Sequence, residues 1–86
     1  MQIPTSIYLI GSTSNNAVKI GVSTNPKKRL TSLQTGSSIK LNLISSYTFP
    51  NSNYAYAIEK YFHTESKEFA LNGEWFEFDR LSLLVI

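Results

Sequence analysis

The start of the chain shows two short apolar runs separated by turn-forming residues, a pattern typical of a β-hairpin. Ser6–Ile10 and Ala17–Val22 are rich in β-branched and aromatic residues and are predicted to be strands. The segment Gly11–Asn16 between them is rich in Ser and Asn, which predicts the connecting turn. This turn is longer than the favoured two-residue hairpin loop.

A short helix is expected directly after the hairpin. Two leucines three positions apart mark one apolar face of the segment Lys27–Thr35. Thr24 or Asn25 can act as the N-cap, and Pro26 suits the first helical position. Gly36 stands where a helix end commonly requires a positive φ, so we expect the helix to end there.

The second half of the chain predicts a strand, a longer helix and a last short strand. Leu41–Phe49 alternates imperfectly between apolar and polar residues, whereas Tyr54–Phe69 carries apolar residues at helical spacing. The Asn-Gly pair at 72–73 predicts a turn, and Glu74–Phe78 alternates again. The apolar end, Leu81–Ile86, is expected to dock as a last element or to continue into a longer protein.

The order β–β–α–β–α–β predicts the α+β class. We expect a small, mostly antiparallel sheet of three to four strands flanked by helices. The chain of 86 residues has room for one domain, 1–86, and its 42% apolar residues suffice for a thin core.

Composition excludes several kinds of site. The chain has no Cys and one His, which excludes a disulfide scaffold, a thiolate metal site, a Cys nucleophile and a zinc site built from several imidazoles of one chain. No run approaches the roughly 18 apolar residues that span a bilayer, and the first residues lack the basic start of a signal peptide. We therefore expect no membrane partner and a soluble, cytoplasmic protein.

The charges are divided unevenly along the chain. The net charge of +2 says little by itself, but residues 1–58 contain five basic residues and no acid. Residues 59–86 contain all six acidic residues and three basic ones. The acid-free stretch would tolerate phosphates, which permits a nucleic-acid partner.

Tyr8 and Lys19 lie in the two predicted hairpin strands and can be cross-strand neighbours. A lysine ammonium beside a phenol favours the phenolate, which can act as a general base. The alternative is a packing role for Tyr8 and a solvated strand face for Lys19. Both interpretations stay open at this point.

Lys27, Lys28 and Arg29 place three positive charges near the start of the predicted helix, where they oppose the helix dipole. The cost is about 0.3–1 kcal/mol for each exposed charge, and nothing in the sequence compensates it. Anion binding explains this placement better than a merely solvated face. The planar guanidinium of Arg29 is suited to grip a phosphate.

Glu59 and His63 stand four residues apart and therefore lie on one stripe of the longer helix. A single carboxylate with waters and a substrate phosphate is a usual way to hold Mg²⁺, which makes Glu59 a candidate metal ligand. The alternative is a solvated helix edge for Glu59 and a structural role for His63.

Five short motifs, in order along the chain, resemble the GIY-YIG nuclease superfamily. They are Ile7-Tyr8-Leu9, Lys19-Ile20-Gly21, Arg29, Ala57-Ile58-Glu59-Lys60-Tyr61-Phe62-His63 and Gly73-Glu74-Trp75-Phe76. The match covers residues 6–78. It is similar to a compact branch found in phage and mobile-element proteins, which carries a Lys-Ile-Gly second motif and a closing Gly-Glu-Trp-Phe.

The resemblance implies an endonuclease that hydrolyses phosphodiesters, usually of DNA, with Mg²⁺ (or Mn²⁺) as its cofactor. Tyr8 matches the tyrosine that acts as general base or positions the water. Arg29 matches the arginine on the phosphate, with Lys19 beside it where many members have a second tyrosine. Glu59 matches the metal-binding glutamate, and His63 matches a histidine expected to contact phosphate or transfer a proton.

The resemblance also implies residues that bind the substrate without reacting. Gly21 matches the motif glycine that lets backbone and substrate approach closely. We expect Lys27, Lys28 and Lys40 to contact phosphates beside it. A domain of this size offers little surface for sequence readout, because even single DNA-binding modules bury roughly 600–1,000 Å². Target choice is therefore expected to need a homodimer or a fused or partner DNA-recognition domain.

Three positions depart from the superfamily pattern. Ser6 replaces the first glycine, Lys19 replaces the second tyrosine, and Leu33 stands where several relatives carry His or Tyr. Leu33 keeps a second interpretation open, in which the chain is a catalytically inactive nucleic-acid-binding or protein-interaction module on the same scaffold.

Overall fold

The computed structural model describes residues 3–81, in which five strands and three α-helices follow one another. The elements are β1 (Thr5–Ser12), β2 (Ala17–Ser23), α1 (Pro26–Thr35), β3 (Asn42–Phe49), α2 (Ser52–Glu65), β4 (Ala70–Asn72), β5 (Trp75–Glu77) and α3 (Phe78–Leu81), with a 3-10 turn at Lys67–Phe69. The strands form one antiparallel sheet in the order β3-β1-β2-β5-β4. The predicted α+β class is confirmed, and β4 raises the number of strands to five.

The central strand β1 is buried on both faces of the sheet. On one face Tyr8 and Ile10 pack with Leu41, and leucines of α1 close this cluster. On the other face Val18 and Ile20 of β2 pack with Phe76, and α2 covers them with the half-buried Phe62. A strand covered on both faces carries almost only apolar or small residues, because no side of it meets water. This explains the continuous apolar run Ile7–Ile10 in the middle of β1.

The hairpin is confirmed, but its strands extend further into the predicted turn. The ladder between β1 and β2 runs to the pair Ser12 and Ala17. Ser12 Oγ accepts hydrogen bonds from both the backbone and the side-chain nitrogen of Asn15, at 3.3 and 2.9 Å. Asn16 adopts a φ of 53°, which Asn tolerates better than most residues. These side-chain hydrogen bonds stabilise a turn that is shorter than the turn Gly11–Asn16 predicted from composition.

The start of α1 and its end at Thr35 are as predicted, but the backbone conformation of Gly36 is not. Asn25 Oδ1 caps the helix by accepting from the Lys28 backbone N–H at 3.1 Å, and Pro26 is the first helical residue. The prediction of a positive φ at Gly36 is wrong, because its φ is −96°. Its N–H instead donates to Leu33 O at 3.2 Å and continues the right-handed turn.

The longer helix, α2, ends at Glu65, so the predicted end at Phe69 is wrong. The chain turns at Ser66, which is fully buried, and Phe69 N–H donates to Ser66 O at 2.8 Å. This turn sends residues 70–72 back beside β5, where they pair as β4. The last strand, β5, is shorter than the predicted Glu74–Phe78. Phe78 is instead the first residue of α3. Most of the predicted docking segment, residues 82–86, lies outside the described residues.

We expect the double-sided burial of β1 to make its side chains unusually costly to trim. Ile10 is fully buried, so Ile10→Val should lower the free energy of unfolding by about 1 kcal/mol. Ile3→Val is the control, because Ile3 is 57% exposed and should change that free energy by less than about 0.5 kcal/mol. Urea denaturation measures both, and equal effects of the two substitutions would contradict this account of the core.

Candidate functional site

The candidate site lies where the outer edge of β2 becomes free of its neighbouring strand. The strand β5 has three residues and pairs with β2 only at residues 17–19. Ile20 N–H also donates to Glu74 O at 3.3 Å, but Glu74 lies one residue before the start of β5. His63 of α2 lies 3.1 Å from Ile20 O through its Nε2 atom. Side chains of α2 therefore reach this edge from one side of the sheet, and those of β1, β2 and α1 reach it from the other.

Tyr8, Gly21 and Arg29 form the first part of the site. Tyr8 lies directly opposite Gly21 in the ladder, and its phenol fills the space that a side chain at Gly21 would need. Arg29 on the second turn of α1 donates from Nε to the Tyr8 Oη at 3.3 Å. The phenol is 2% exposed and the arginine is half-buried. Gly21 was predicted to let backbone and substrate approach closely, and in the structure it makes room for the ring of Tyr8.

Lys19 and Glu74 form the second part. Lys19 lies opposite Ile10, diagonally from Tyr8 on the same face of the sheet. Its Nζ donates to Glu74 Oε1 at 2.5 Å, so its ion-pair partner is this carboxylate. The hydrogen bond from Lys19 holds the pKa of Glu74 below its usual value of 4.5, and the charges of Lys19, His63 and Arg29 act in the same direction. Burial opposes this shift.

Glu59 and His63 complete the site from α2. Each of the residues Glu59, His63 and Glu74 offers one possible ligand atom, and these three atoms lie within 4.8 Å of one another. Burial raises the pKa of Glu59, and the carboxylate of Glu74 raises it further, against the charges of His63 and Lys19. Within residues 3–81, the Glu59 carboxylate accepts no hydrogen bond and forms no ion pair. It is therefore a half-buried carboxylate without a bonded partner.

The histidine is oriented by the backbone. A carbonyl oxygen only accepts hydrogen bonds, so the contact with Ile20 O places a proton on His63 Nε2. In the neutral form of the ring, the other nitrogen, Nδ1, carries the lone pair. The ring also packs edge-on against Phe76, with ring centroids 5.2 Å apart. This arrangement leaves one nitrogen of His63 able to bind a cation or to accept a proton.

Glu74 belongs to the motif Gly73–Phe76, but the sequence alone indicates no role for it. The structure brings Glu74 together with Tyr8, Lys19, Gly21, Arg29, Glu59 and His63. The predicted phosphate contacts Lys27, Lys28 and Lys40 are exposed, and their side chains form no hydrogen bond or ion pair with a described residue. Leu33 packs against the cluster that contains Tyr8. The chemistry of the site thus comes from two carboxylates, an imidazole, a phenol, an ammonium and a guanidinium.

A side chain at Gly21 should displace Tyr8. A Cβ there would overlap the phenol, so Gly21→Ala is expected to lower the free energy of unfolding by about 1–3 kcal/mol. Gly36→Ala is the matched control, since its nearest neighbour would be Leu33 O at 4.0 Å. Its effect should stay within about 0.5 kcal/mol. If urea denaturation gave both variants the same stability, the close contact of Tyr8 with Gly21 would be refuted.

The two carboxylates should affect stability in opposite directions. A raised pKa means that Glu59 lowers the stability of the folded state once it ionises, so Glu59→Gln should raise the free energy of unfolding at pH 7 without divalent metal. That advantage should disappear as the pH falls below 4.5. The pKa of Glu74 is lowered, so its contribution is favourable above pH 4.5 and is lost as the pH falls through its folded value.

The matched substitution Glu74→Gln should therefore lower the free energy of unfolding at pH 7. Its effect should be modest, because the Glu74 side chain is 49% exposed and solvent screens the pair. Urea denaturation at pH 4 and pH 7 measures both variants. A destabilising Glu59→Gln at pH 7 would contradict the assignment of an unpaired, desolvated carboxylate.

Comparison with known proteins places the chain in a family. No curated protein and no solved structure matches it. Among residues 3–81, no helix has the length and apolar character needed to cross a membrane. The T5orf172 domain, a phage-associated domain often linked to homing-endonuclease-like folds, matches residues 5–84 and so includes every residue of the candidate site. The chain therefore belongs to the T5orf172 domain family.

Proposed function

We propose that the chain is a metal-dependent endonuclease domain of GIY-YIG type that hydrolyses phosphodiester bonds of DNA. The T5orf172 family supports a nuclease-like or DNA-binding role. The observation that carries the proposal is the hydrogen bond from Arg29 to the buried phenol of Tyr8, within the same cluster as the unpaired carboxylate of Glu59. An anion-binding group, a proton acceptor and a cation ligand are thereby close together.

Arg29 is the group that binds the scissile phosphate. Its Nε is committed to Tyr8, which leaves the N–H groups of both Nη atoms free of described partners. These donors form a planar fork that suits two phosphate oxygens. As negative charge develops on the phosphate in the transition state, a guanidinium held in place by Tyr8 stabilises it without reorganising.

Tyr8 is the proton acceptor. Its oxygen accepts a hydrogen bond from Arg29 Nε, which holds this oxygen beside the guanidinium that binds the phosphate. At this position Tyr8 Oη takes the proton of the attacking water. Packing within the apolar cluster fixes the ring, so its oxygen stays directed towards Arg29.

Glu59 and His63 hold the metal ion, with Glu74 as a further ligand. The donor set fits, because two carboxylates and an imidazole nitrogen lie close together and Glu59 has no other partner among the described residues. The contact of His63 Nε2 with a backbone carbonyl is typical of metal-binding histidines, since it fixes the tautomer. Mg²⁺ or Mn²⁺ suits carboxylates and, when bound, supplies Lewis-acid polarisation of the phosphate.

Lys19 acts mainly through Glu74. The ion pair keeps Glu74 ionised and holds it against the start of β5. The ammonium also adds a positive charge on the face of the sheet that carries Tyr8. We therefore assign Lys19 a positioning role, with electrostatic attraction of the phosphate as a secondary effect.

Cleavage of supercoiled plasmid DNA tests the proposed function. We expect nicking in Mg²⁺ or Mn²⁺ that EDTA abolishes, and a loss of at least about 100-fold in Glu59→Gln and in Arg29→Lys. Glu65→Gln is the matched control for Glu59→Gln, because Glu65 lies exposed near the end of the same helix. It should cleave like the unmodified protein.

Two outcomes would overturn the proposal. If Glu59→Gln and Glu65→Gln lost activity equally, Glu59 would have no special role. If the folded protein bound DNA in a salt-dependent manner but never cleaved it with either metal, the chain would be a nucleic-acid-binding module instead.

A further inference from the structure

A second concave region lies beside the candidate site, between the C-terminal end of α1 and the strand β5. It has a volume of about 560 Å³. Its walls combine apolar side chains, hydroxyl groups and an indole, and include Ser32, Leu33, Gly36, Ser38, Leu41 and Trp75. The mechanism above uses none of these residues. We call this region the Trp75 groove.

The chemistry of the Trp75 groove suits a flat heterocycle. Trp75 is half-buried and packs on the cluster of Tyr8 and Leu41, which holds its indole in place. The hydroxyls of Ser32 and Ser38 make no hydrogen bond with a described residue and are free to pair with a ligand. The groove has no acidic residue among its lining side chains, so it does not repel a phosphate chain.

One wall of the groove is held in shape before any ligand binds. Gln34 donates from Nε2 to Ile39 O at 2.9 Å and accepts from Leu41 N–H at 2.7 Å. Ser37 Oγ donates to the same Ile39 carbonyl at 2.9 Å and lies 3.2 Å from the Ile39 nitrogen. These bonds tie the loop after α1 to the helix. A preformed wall reduces the ordering cost of binding.

The groove is continuous with the proposed catalytic residues. Trp75 lies directly opposite Lys19 in the sheet, so both side chains are on the face that carries Tyr8. Glu74 immediately precedes Trp75. Ala17, which also lines the groove, stands two residues from Lys19, or about 7 Å along the strand. A base in the groove would therefore belong to a nucleotide close to the phosphate bound by Arg29.

We propose that the Trp75 groove binds an unpaired nucleobase of the substrate strand, stacked on the indole of Trp75. This inference rests on the proposed function and specifies its substrate as a nucleic acid with unpaired nucleotides beside the cleavage point. A base inside a duplex has both faces covered by its neighbours and must leave the stack before it can contact an aromatic side chain. Single strands, flaps and loops satisfy this requirement without unpairing.

Fluorescence of Trp75 tests the proposal directly, because it is the single Trp of the chain. The titration is done in EDTA, so that binding is measured without cleavage. The three probes are a thymidine oligonucleotide, a duplex of equal length and an abasic oligomer of equal length. We expect saturable quenching by the thymidine strand, with binding about tenfold tighter than that of the other two probes. Equal quenching by all three probes, or none by any, would overturn the proposal.

A groove-filling variant provides the second measurement. Ser32→Phe places a ring in the groove and should weaken binding of the thymidine strand about tenfold. Thr31→Phe is the matched control, because Thr31 is exposed on the same helix and does not line the groove. It should bind like the unmodified protein, and circular dichroism checks that both variants are folded. Equal binding by the two variants would contradict the groove assignment.

The outcomes separate this inference from the proposed function. Base-dependent quenching without cleavage in Mg²⁺ would refute the nuclease and leave the groove as a nucleotide-binding site. Metal-dependent cleavage of duplex and single strand at equal rates, without base-dependent quenching, would refute the groove and leave the nuclease.

Discussion

The contact of Tyr8 with Gly21 across the first two strands is the constraint on which the site depends. Only a residue without a side chain leaves room for the phenol at this point of the ladder. A shift of the ladder by one residue would send Tyr8 to the opposite face of the sheet, away from Arg29. Burial of β1 on both faces prevents such a shift, because it would exchange the residues packed against α1 and α2. The packing of β1 in the core therefore also fixes the position of Tyr8 in the site.

The shortness of β5 has an equally direct consequence. If β5 were longer, it would cover the outer edge of β2, and the carbonyl of Ile20 would pair with a strand. Instead this carbonyl contacts His63, and the edge joins groups from both faces of the sheet. The charges at this edge balance, since Glu59 and Glu74 offset Lys19 and Arg29. A divalent cation bound here would make the cluster positive, which is the sign that a phosphodiester requires.

Many residues of the site could be predicted from sequence, but the hydrogen bonds and ion pairs between them could not. Spacing on α2 placed Glu59 and His63 together, because residues four apart share a helix face. The sequence left open whether Lys19 lies beside Tyr8 or on a solvated face, and the structure pairs its ammonium with Glu74, which is 55 residues away along the chain. Sequence patterns describe neighbours within a strand or helix. They do not specify which charges meet when a turn at Ser66 brings a later strand back to the sheet.

The sequence by itself determined the hairpin, the start of α1, the α+β class and the residue types of the site, because each depends on local periodicity or local hydrogen bonding. Only the tertiary structure decided the end of α2, the pairing of β4 with β5 and the assembly of the Trp75 groove. These features depend on contacts between distant segments, where a three-residue strand such as β4 is stable only because β5 is already beside it.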